Sequence, residues 1–499
     1  MKLIQRLKKK VSRFSPKSRS FPIVAALAAG LYPLLYVYYS NFTLVCSWSQ
    51  FAFYVITFLL LPVFVFYIAR IASDRLHLIG RYKPYIIPVL NITFFVFFMV
   101  LVTYGFKKKI LVVVLLLAFI LSIVVFKHIK KVVIMQLIMS VIAFFMLIPV
   151  LFVPFKTSSE WMQQPDDIEQ AKFKKKPNIY IIQPDGYANF SELRNELYNY
   201  DNSDFEAFLL DHNFKMYENF RSNYFSTLSS NSSMFAMKHH YYNNVKGSAH
   251  ELYNSRKIVI GDNPVISIFK NNEYKTFLML QKSYLLVNRS KVLYDYCNID
   301  YSEVPYFTRG FGVTKDLEID LEKVINENKE TNNFYFIEQI APGHVSTFKN
   351  DSDGKTKERK DYIDKLDDAN GWLKNIINII NENDNEAIVV MVADHGGFVG
   401  FDYTLQTRIK QEDDELVKSA FTAALAIKWP KGEVPEFDNK LKSNVNLFRV
   451  LFSYLEDNVG YLEHLESDHS YLMINEGAPN GVYEVMDSLG NVVFKEITD

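Results

Sequence analysis

The pattern of apolar and polar positions divides this chain in two. From residue 21 to residue 153 apolar side chains follow one another almost without a break, whereas the remainder mixes charge with apolar periodicity as a water-soluble chain does. Five stretches of the first part, 22–40, 49–69, 84–106, 110–126 and 132–153, are long enough to cross a hydrocarbon core of about 30 Å. None carries an acidic or basic residue in its middle, so the bundle reads as an anchor, or as a platform for a lipid-linked substrate, and not as an ion pathway. A signal peptide is the rival reading of the first stretch, since Lys8, Lys9, Lys10 and Arg13 precede it. Four further spans follow, however, and no small-residue cleavage site stands out, which favours a retained helix.

After a polar, Lys-rich linker over 156–176, short runs apolar on both faces alternate with amphipathic stretches. IYIIQ (179–183), KTFLML (275–280), FYFIEQI (334–340), AIVVMVA (387–393) and AALAIKW (423–429) read as buried strands; residues 359–383 and 444–456 read as helices. The expected fold is a multi-span α-helical membrane domain followed by an α/β domain whose mostly parallel sheet is covered by helices on both faces. A β-hairpin about Leu489-Gly490-Asn491 closes the chain. The expected divisions are a basic segment 1–20, the membrane domain 21–155, the linker 156–176, the α/β domain 177–474 and the hairpin 475–499.

Charge adds orientation. The 55 basic and 55 acidic residues cancel, an average over two unlike halves that gives no sign of a nucleic-acid partner. With the N-terminus inside, fifteen Lys and Arg flank the spans on the cytoplasmic side against eight on the other, the exception to a clean bias being Lys107, Lys108 and Lys109. This predicts a multi-pass protein of the cytoplasmic membrane with its α/β domain outside. Only Cys46 and Cys297 are present, too few and too far apart for a disulfide framework or a cysteine-built zinc site.

In an open α/β sheet, ligands gather at the carboxyl ends of the strands. The first strand delivers Asp185 just past its end and the fourth delivers Asp394 and His395, each followed by glycine. Taken singly, an Asp after a strand is an ordinary helix cap. Between them, SNYFSTLSSNSSMFAMKHHYY (222–242) places hydroxyls ahead of a helix-like run, where the positive end of the dipole favours a developing alkoxide or an anionic oxygen. Two carboxylates, an imidazole and a hydroxyl would make a four-ligand site for one divalent cation. His239 and His240 are expected to be solvated helix residues on different sides.

PNIYIIQPDGYA, SNYFSTLSSNSSM, ADHGG, AALAIKWP, VNLFRVLFSYL and ESDHSYL, in that order over 177–472, resemble the sulfatase-like hydrolase/transferases of the alkaline phosphatase superfamily, membrane-anchored and similar to lipoteichoic acid synthases and phosphoethanolamine transferases. The resemblance implies that Asp185, Thr227, Asp394 and His395 ligate a metal (Mn2+, Mg2+ or Zn2+), that Thr227 is the nucleophile, and that His344 contacts substrate. It further implies transfer of a phospho-headgroup, phosphoglycerol- or phosphoethanolamine-like, from a membrane lipid donor to a cell-surface glycan through a covalent threonine intermediate. The alternatives are a phosphate or sulfate ester hydrolase and an inactive scaffold of a surface-polysaccharide system. The sequence departs from the family pattern in four ways. No Cys or Ser stands in a C/S-x-P-x-R context near Thr227, which argues against formylglycine-type sulfatase chemistry. No histidine follows closely after His395. Gln183 and Pro184 stand where the first strand is usually apolar, and Gly343 interrupts the expected context of His344.

Overall fold

The computed structural model describes residues 18, 20–75, 82–244 and 252–497, which fall into two compact units. In the first unit four helices are long and apolar enough to cross a membrane: Phe21–Ser40 (α1), Trp48–Arg75 (α2), Lys83–Tyr104 (α3) and the 55-residue Lys108–Met162. The last is not one rod. It comprises Lys108–Val125 (α4), a 3-10 turn at Phe126–His128 and Ile129–Leu151 (α5). Gly105, at φ 67°, ends α3 in a conformation that a side chain would resist. α4 then runs back until Phe126 meets Tyr85 near the start of α3, with ring centroids 4.4 Å apart. Ile129 in turn packs in one cluster with Phe21 and Phe66, so α5 sets out beside the start of α1. On α4, Val112, Val113, Leu116, Leu117 and Ile120 are each more than half exposed, an apolar exterior suited to lipid and costly in water.

The interior of this unit is held by amides. Asn91 and Gln136, both buried, exchange hydrogen bonds of 2.8 and 3.1 Å, and Asn91 also donates to Ala25 O at 2.8 Å, joining α3, α5 and α1. Two short segments from far along the chain, Val287–Ser290 and Pro305–Arg309, belong to the same unit. Gln50 donates to Val287 O (2.9 Å), Tyr54 donates to Tyr306 O (2.7 Å), and Phe53 stacks on Tyr306 at 4.1 Å. Neither Cys46 nor Cys297 forms a disulfide among the described residues.

The second unit is built on a seven-stranded sheet. Its strands are Ile179–Pro184 (β1), Phe214–Met216 (β2), Lys275–Leu280 (β3), Tyr296–Cys297 (β4), Asn333–Gln339 (β5), Ile388–Val392 (β6) and Leu425–Lys428 (β7). They lie in the order β2-β7-β6-β1-β5-β3-β4. All pairings are parallel except the two made by β7. Every residue of β1, β5 and β6 is buried, which is why these strands read as unbroken apolar runs. The flanking helices are Ser203–Asp211 (α6), Thr227–Ala236 (α7), Pro264–Asn271 (α8), Leu317–Glu327 (α9), Lys355–Asn383 (α10), Asp414–Phe421 (α11) and Leu447–Glu456 (α12). Aromatic rings bind α7, α8 and α12 to the sheet: Phe235 lies against Phe336 and Phe448, and Phe269 against Phe334. α10 contributes Leu366, Leu373, Ile376, Ile377 and Ile380 to the same core. The stretch 156–176 also feeds it, through Ile168, Ala171 and Phe173.

A second sheet pairs Ser470–Ile474 (β8), Gly481–Met486 (β9) and Val492–Glu496 (β10) antiparallel. The predicted hairpin is therefore two strands of three. Its turn is fixed by the Asp487 carboxylate, which accepts from Leu489 N (2.8 Å) and Asn491 N (2.9 Å) while Gly490 takes φ 88°.

Candidate metal centre and nucleophile

Three neighbouring central strands, β6, β1 and β5, end on the same side of the sheet, and each carries a predicted site residue just beyond its end. Asp185 follows β1, Asp394 and His395 follow β6, and His344 lies in the loop after β5. Thr227 is the first residue of α7, where unpaired N–H groups and the helix dipole favour a negative oxygen. Its Oγ1 lies 3.3 Å from Asp185 Oδ1 and 3.5 Å from His395 Nε2. His395 Nε2 in turn lies 3.5 Å from Asp185 Oδ1 and 3.3 Å from Asp394 Oδ2. One ligand atom from each of Asp185, Asp394 and His395 falls within 4.8 Å of the others, and all three residues are buried.

The surroundings leave these atoms with lone pairs to give. His395 Nδ1 donates to Gly396 O at 2.8 Å, which keeps the proton on that nitrogen and leaves Nε2 as an acceptor facing the carboxylates. Gly186 N donates to Asp394 Oδ1 at 3.0 Å, but Asp394 Oδ2 is buried and without a hydrogen bond. A buried carboxylate oxygen in that state costs free energy unless a cation satisfies it. Burial holds the Asp394 carboxyl above its ordinary range against the pull of His395. The donor set, two carboxyl groups, an imidazole and a hydroxyl, fits a divalent cation.

The turns that present these groups are tightly built. A Cβ on Gly186 would meet Gly343 O at 2.1 Å, and Gly186 takes φ 68°. A Cβ on Gly396 would meet Ser419 O at 2.2 Å. Tyr362 spans the first turn, donating to Gly186 O at 3.0 Å and accepting from Ala188 N at 3.1 Å. Asn444 donates to Ala393 O (3.1 Å) and Asp394 O (3.3 Å), holding the second.

Gln183 serves the helix that Thr227 opens. Its amide and that of Asn231, one turn along α7 from Thr227, exchange two hydrogen bonds of 2.7 Å, tying β1 to α7 beneath the site. The polar residue that looked out of place in the strand is thus a positioning residue. Sequence reasoning also passed over Glu338. It is paired across the ladder with Gln183, fully buried, and neither of its oxygens has a hydrogen-bond partner. Burial first, then Asp185 and Asp394, raise its pKa well above the usual carboxylate value. The apolar look of FYFIEQI concealed it.

His344 adjoins the cluster, with its ring centroid 5.7 Å from that of His395. Its Nδ1 donates to Val345 O at 2.6 Å, which leaves Nε2 as the acceptor. Burial, and then His395, push its pKa down to about 4. The expectation for His239 and His240 is overturned. α7 ends at Ala236, Met237 turns left-handed (φ 53°), and both histidines lie beyond the helix, buried. The His240 ring stacks on Tyr224 at 3.9 Å, accepts from Tyr242 N (2.8 Å) and donates to Ser229 O (3.0 Å). Burial lowers its pKa to about 3.

No family model and no curated protein matches the chain. Among solved structures, it is similar to the C-terminal periplasmic domain of EptC from Escherichia coli. The identity is 12%, the match covers 63% of this chain and 94% of that one, and the TM-score is 0.41. It is also similar to the lipooligosaccharide phosphoethanolamine transferase EptA from Neisseria meningitidis (11% identity, 85% and 95% covered, TM-score 0.40). A third similarity is to the lipoteichoic acid synthase LtaP from Listeria monocytogenes (13% identity, 67% and 92% covered, TM-score 0.41). At these scores the chemistry of this chain rests on its own residues.

Proposed function

We propose that this chain is a membrane-anchored, metal-dependent transferase that moves a phospho-headgroup from a lipid donor to a surface glycan through a covalent Thr227 intermediate. The observation that carries the reading is the meeting of Thr227 Oγ1 with Asp185 and His395 beside an unpartnered Asp394 oxygen. A divalent cation held by these four residues would supply Lewis-acid stabilisation and lower the pKa of the hydroxyl.

Thr227 Oγ1 forms a bond to phosphorus while the bond from phosphorus to the lipid alcohol oxygen breaks, and the threonine proton passes by way of His344 Nε2 to that departing oxygen. The N-terminal N–H groups of α7 face the charge that develops on the phosphoryl oxygens. In the second half, an acceptor hydroxyl attacks phosphorus as the Thr227–phosphorus bond breaks, and the acceptor's proton passes by way of His344 Nε2 to Thr227 Oγ1. The lowered pKa of His344 keeps its imidazole neutral and able to accept. Five crossings, with α4 and α5 counted separately, and the excess of Lys and Arg at the N-terminal side support an extracytoplasmic catalytic unit.

The test is mass spectrometry of the full chain after incubation with Mn2+ and vesicles of phosphatidylglycerol or phosphatidylethanolamine. A mass adduct on Thr227 is expected, absent in Thr227→Ala, with turnover down by at least about 10³-fold. Unchanged turnover by that variant would overturn the reading. Release of labelled headgroup to water alone, with a glycan acceptor present, would identify a hydrolase instead.

A further inference from the structure

At the end of the first unit where α1 and α5 begin lies a cavity of about 820 Å³. Among the described residues its charged lining is three cations, Arg70, Lys83 and Lys127, against the one carboxylate of Asp74. Asp74 forms a close ion pair with Lys83 and lies 4.0 Å from Arg70. The other walls are apolar, among them Phe21, Phe66 and Phe126. Beside it runs a second, almost wholly apolar hollow of about 550 Å³ between α3 and α4, lined by Val89, Phe119 and Ile123. The two share Ile86 and Leu90.

We propose that these joined hollows bind one anionic phospholipid. The phosphate takes the Arg70, Lys83 and Lys127 end, where a guanidinium offers paired donors to phosphate oxygens, and one acyl chain lies along Val89, Phe119 and Ile123. A soluble anion would have no use for the apolar hollow, and an uncharged lipid none for the cations. Basic cavities between membrane helices suit such headgroups. The site is at the opposite end of α5 from residue 151, and it does not depend on the transferase reading.

The experiment is native mass spectrometry of the full chain in neutral detergent, titrated with dioleoylphosphatidylglycerol. Wild type should retain the lipid in competition with a large excess of dioleoylphosphatidylcholine or of inorganic phosphate. Lys127→Gln, an exposed position that leaves folding undisturbed, should weaken retention roughly fivefold. Val89→Trp keeps every charge but fills the apolar hollow, and should weaken it as well. The combined R70Q/K83Q/K127Q variant should lose the site, whereas K107Q/K108Q/K109Q, beyond the other end of α3, should keep it. Equal displacement by phosphatidylcholine, displacement by phosphate, or undiminished retention by both Lys127→Gln and Val89→Trp would overturn the proposal.

Discussion

Two buried polar groupings, one in each unit, are satisfied in opposite ways. In the membrane unit Asn91 and Gln136 answer each other's amides, and Ala25 O takes the remaining donor. In the α/β unit Asp394 Oδ2 and both oxygens of Glu338 are buried with no hydrogen-bond partner. A satisfied buried group specifies packing; an unsatisfied one stores free energy that only a ligand or a proton can release. Gln183 and Asn231, close to Asp185 and His395, behave like the membrane amides, so the difference follows role and not location.

This contrast can be broken at several points. The largest effect is expected from Asp394→Asn, which should cut turnover by roughly 10²–10³ and abolish Mn2+ binding by calorimetry. The same change should stabilise the metal-stripped protein, by about 1–3 kcal/mol, because it removes an unpaired buried charge. A fall in Tm of the stripped variant would show that the oxygen was never a liability. Gln183→Leu should lower turnover about tenfold and weaken metal binding, by releasing α7 from β1. Equal turnover in wild type and variant would make the amide pair ornamental.

In the bundle, Asn91→Leu orphans Gln136 and should cost about 1–2 kcal/mol in thermal unfolding in detergent, while the double N91L/Q136L should cost less than either single change. An additive double variant would sink the idea of a reciprocal pair. The effect that is smallest at neutral pH concerns acid. His240 has a pKa near 3 when folded against about 6.5 unfolded. Over that window the unfolded chain binds the extra proton, so this contribution to stability is complete above pH 6.5 and declines as pH falls toward 3. His240→Gln should flatten that slope in urea titrations; an unchanged slope would place the acid sensitivity elsewhere.

Much of this was legible in the chain before any coordinates. β3 coincides with its predicted run and β1, β5 and β6 fall within a residue or so, because strands buried on both faces must be apolar throughout. Asp185, Asp394 and His395 stood out because each breaks such a run at its end. The edge strands β2 and β4, of three and two residues, are too short to carry a pattern. The antiparallel course of β7 depends on its neighbours, and composition does not record it. The expectation for His239 and His240 fails because the helical pattern of the sequence runs on past Ala236, whereas Met237 reverses the backbone. The pairing of Gln183 with Asn231 spans 48 positions and leaves no local trace.

Gly343 N donates to Asp185 O at 2.8 Å, and the space where a side chain on Gly186 would stand is filled by Gly343 O. The loop bearing the histidine and the turn bearing the first carboxylate therefore behave as a single casting. Grafting a foreign 341–348 loop to change acceptor preference would drag Asp185 with it unless the donor loop also brings bare backbone to that crossing. Engineers seeking new specificity have a freer hand elsewhere around the rim.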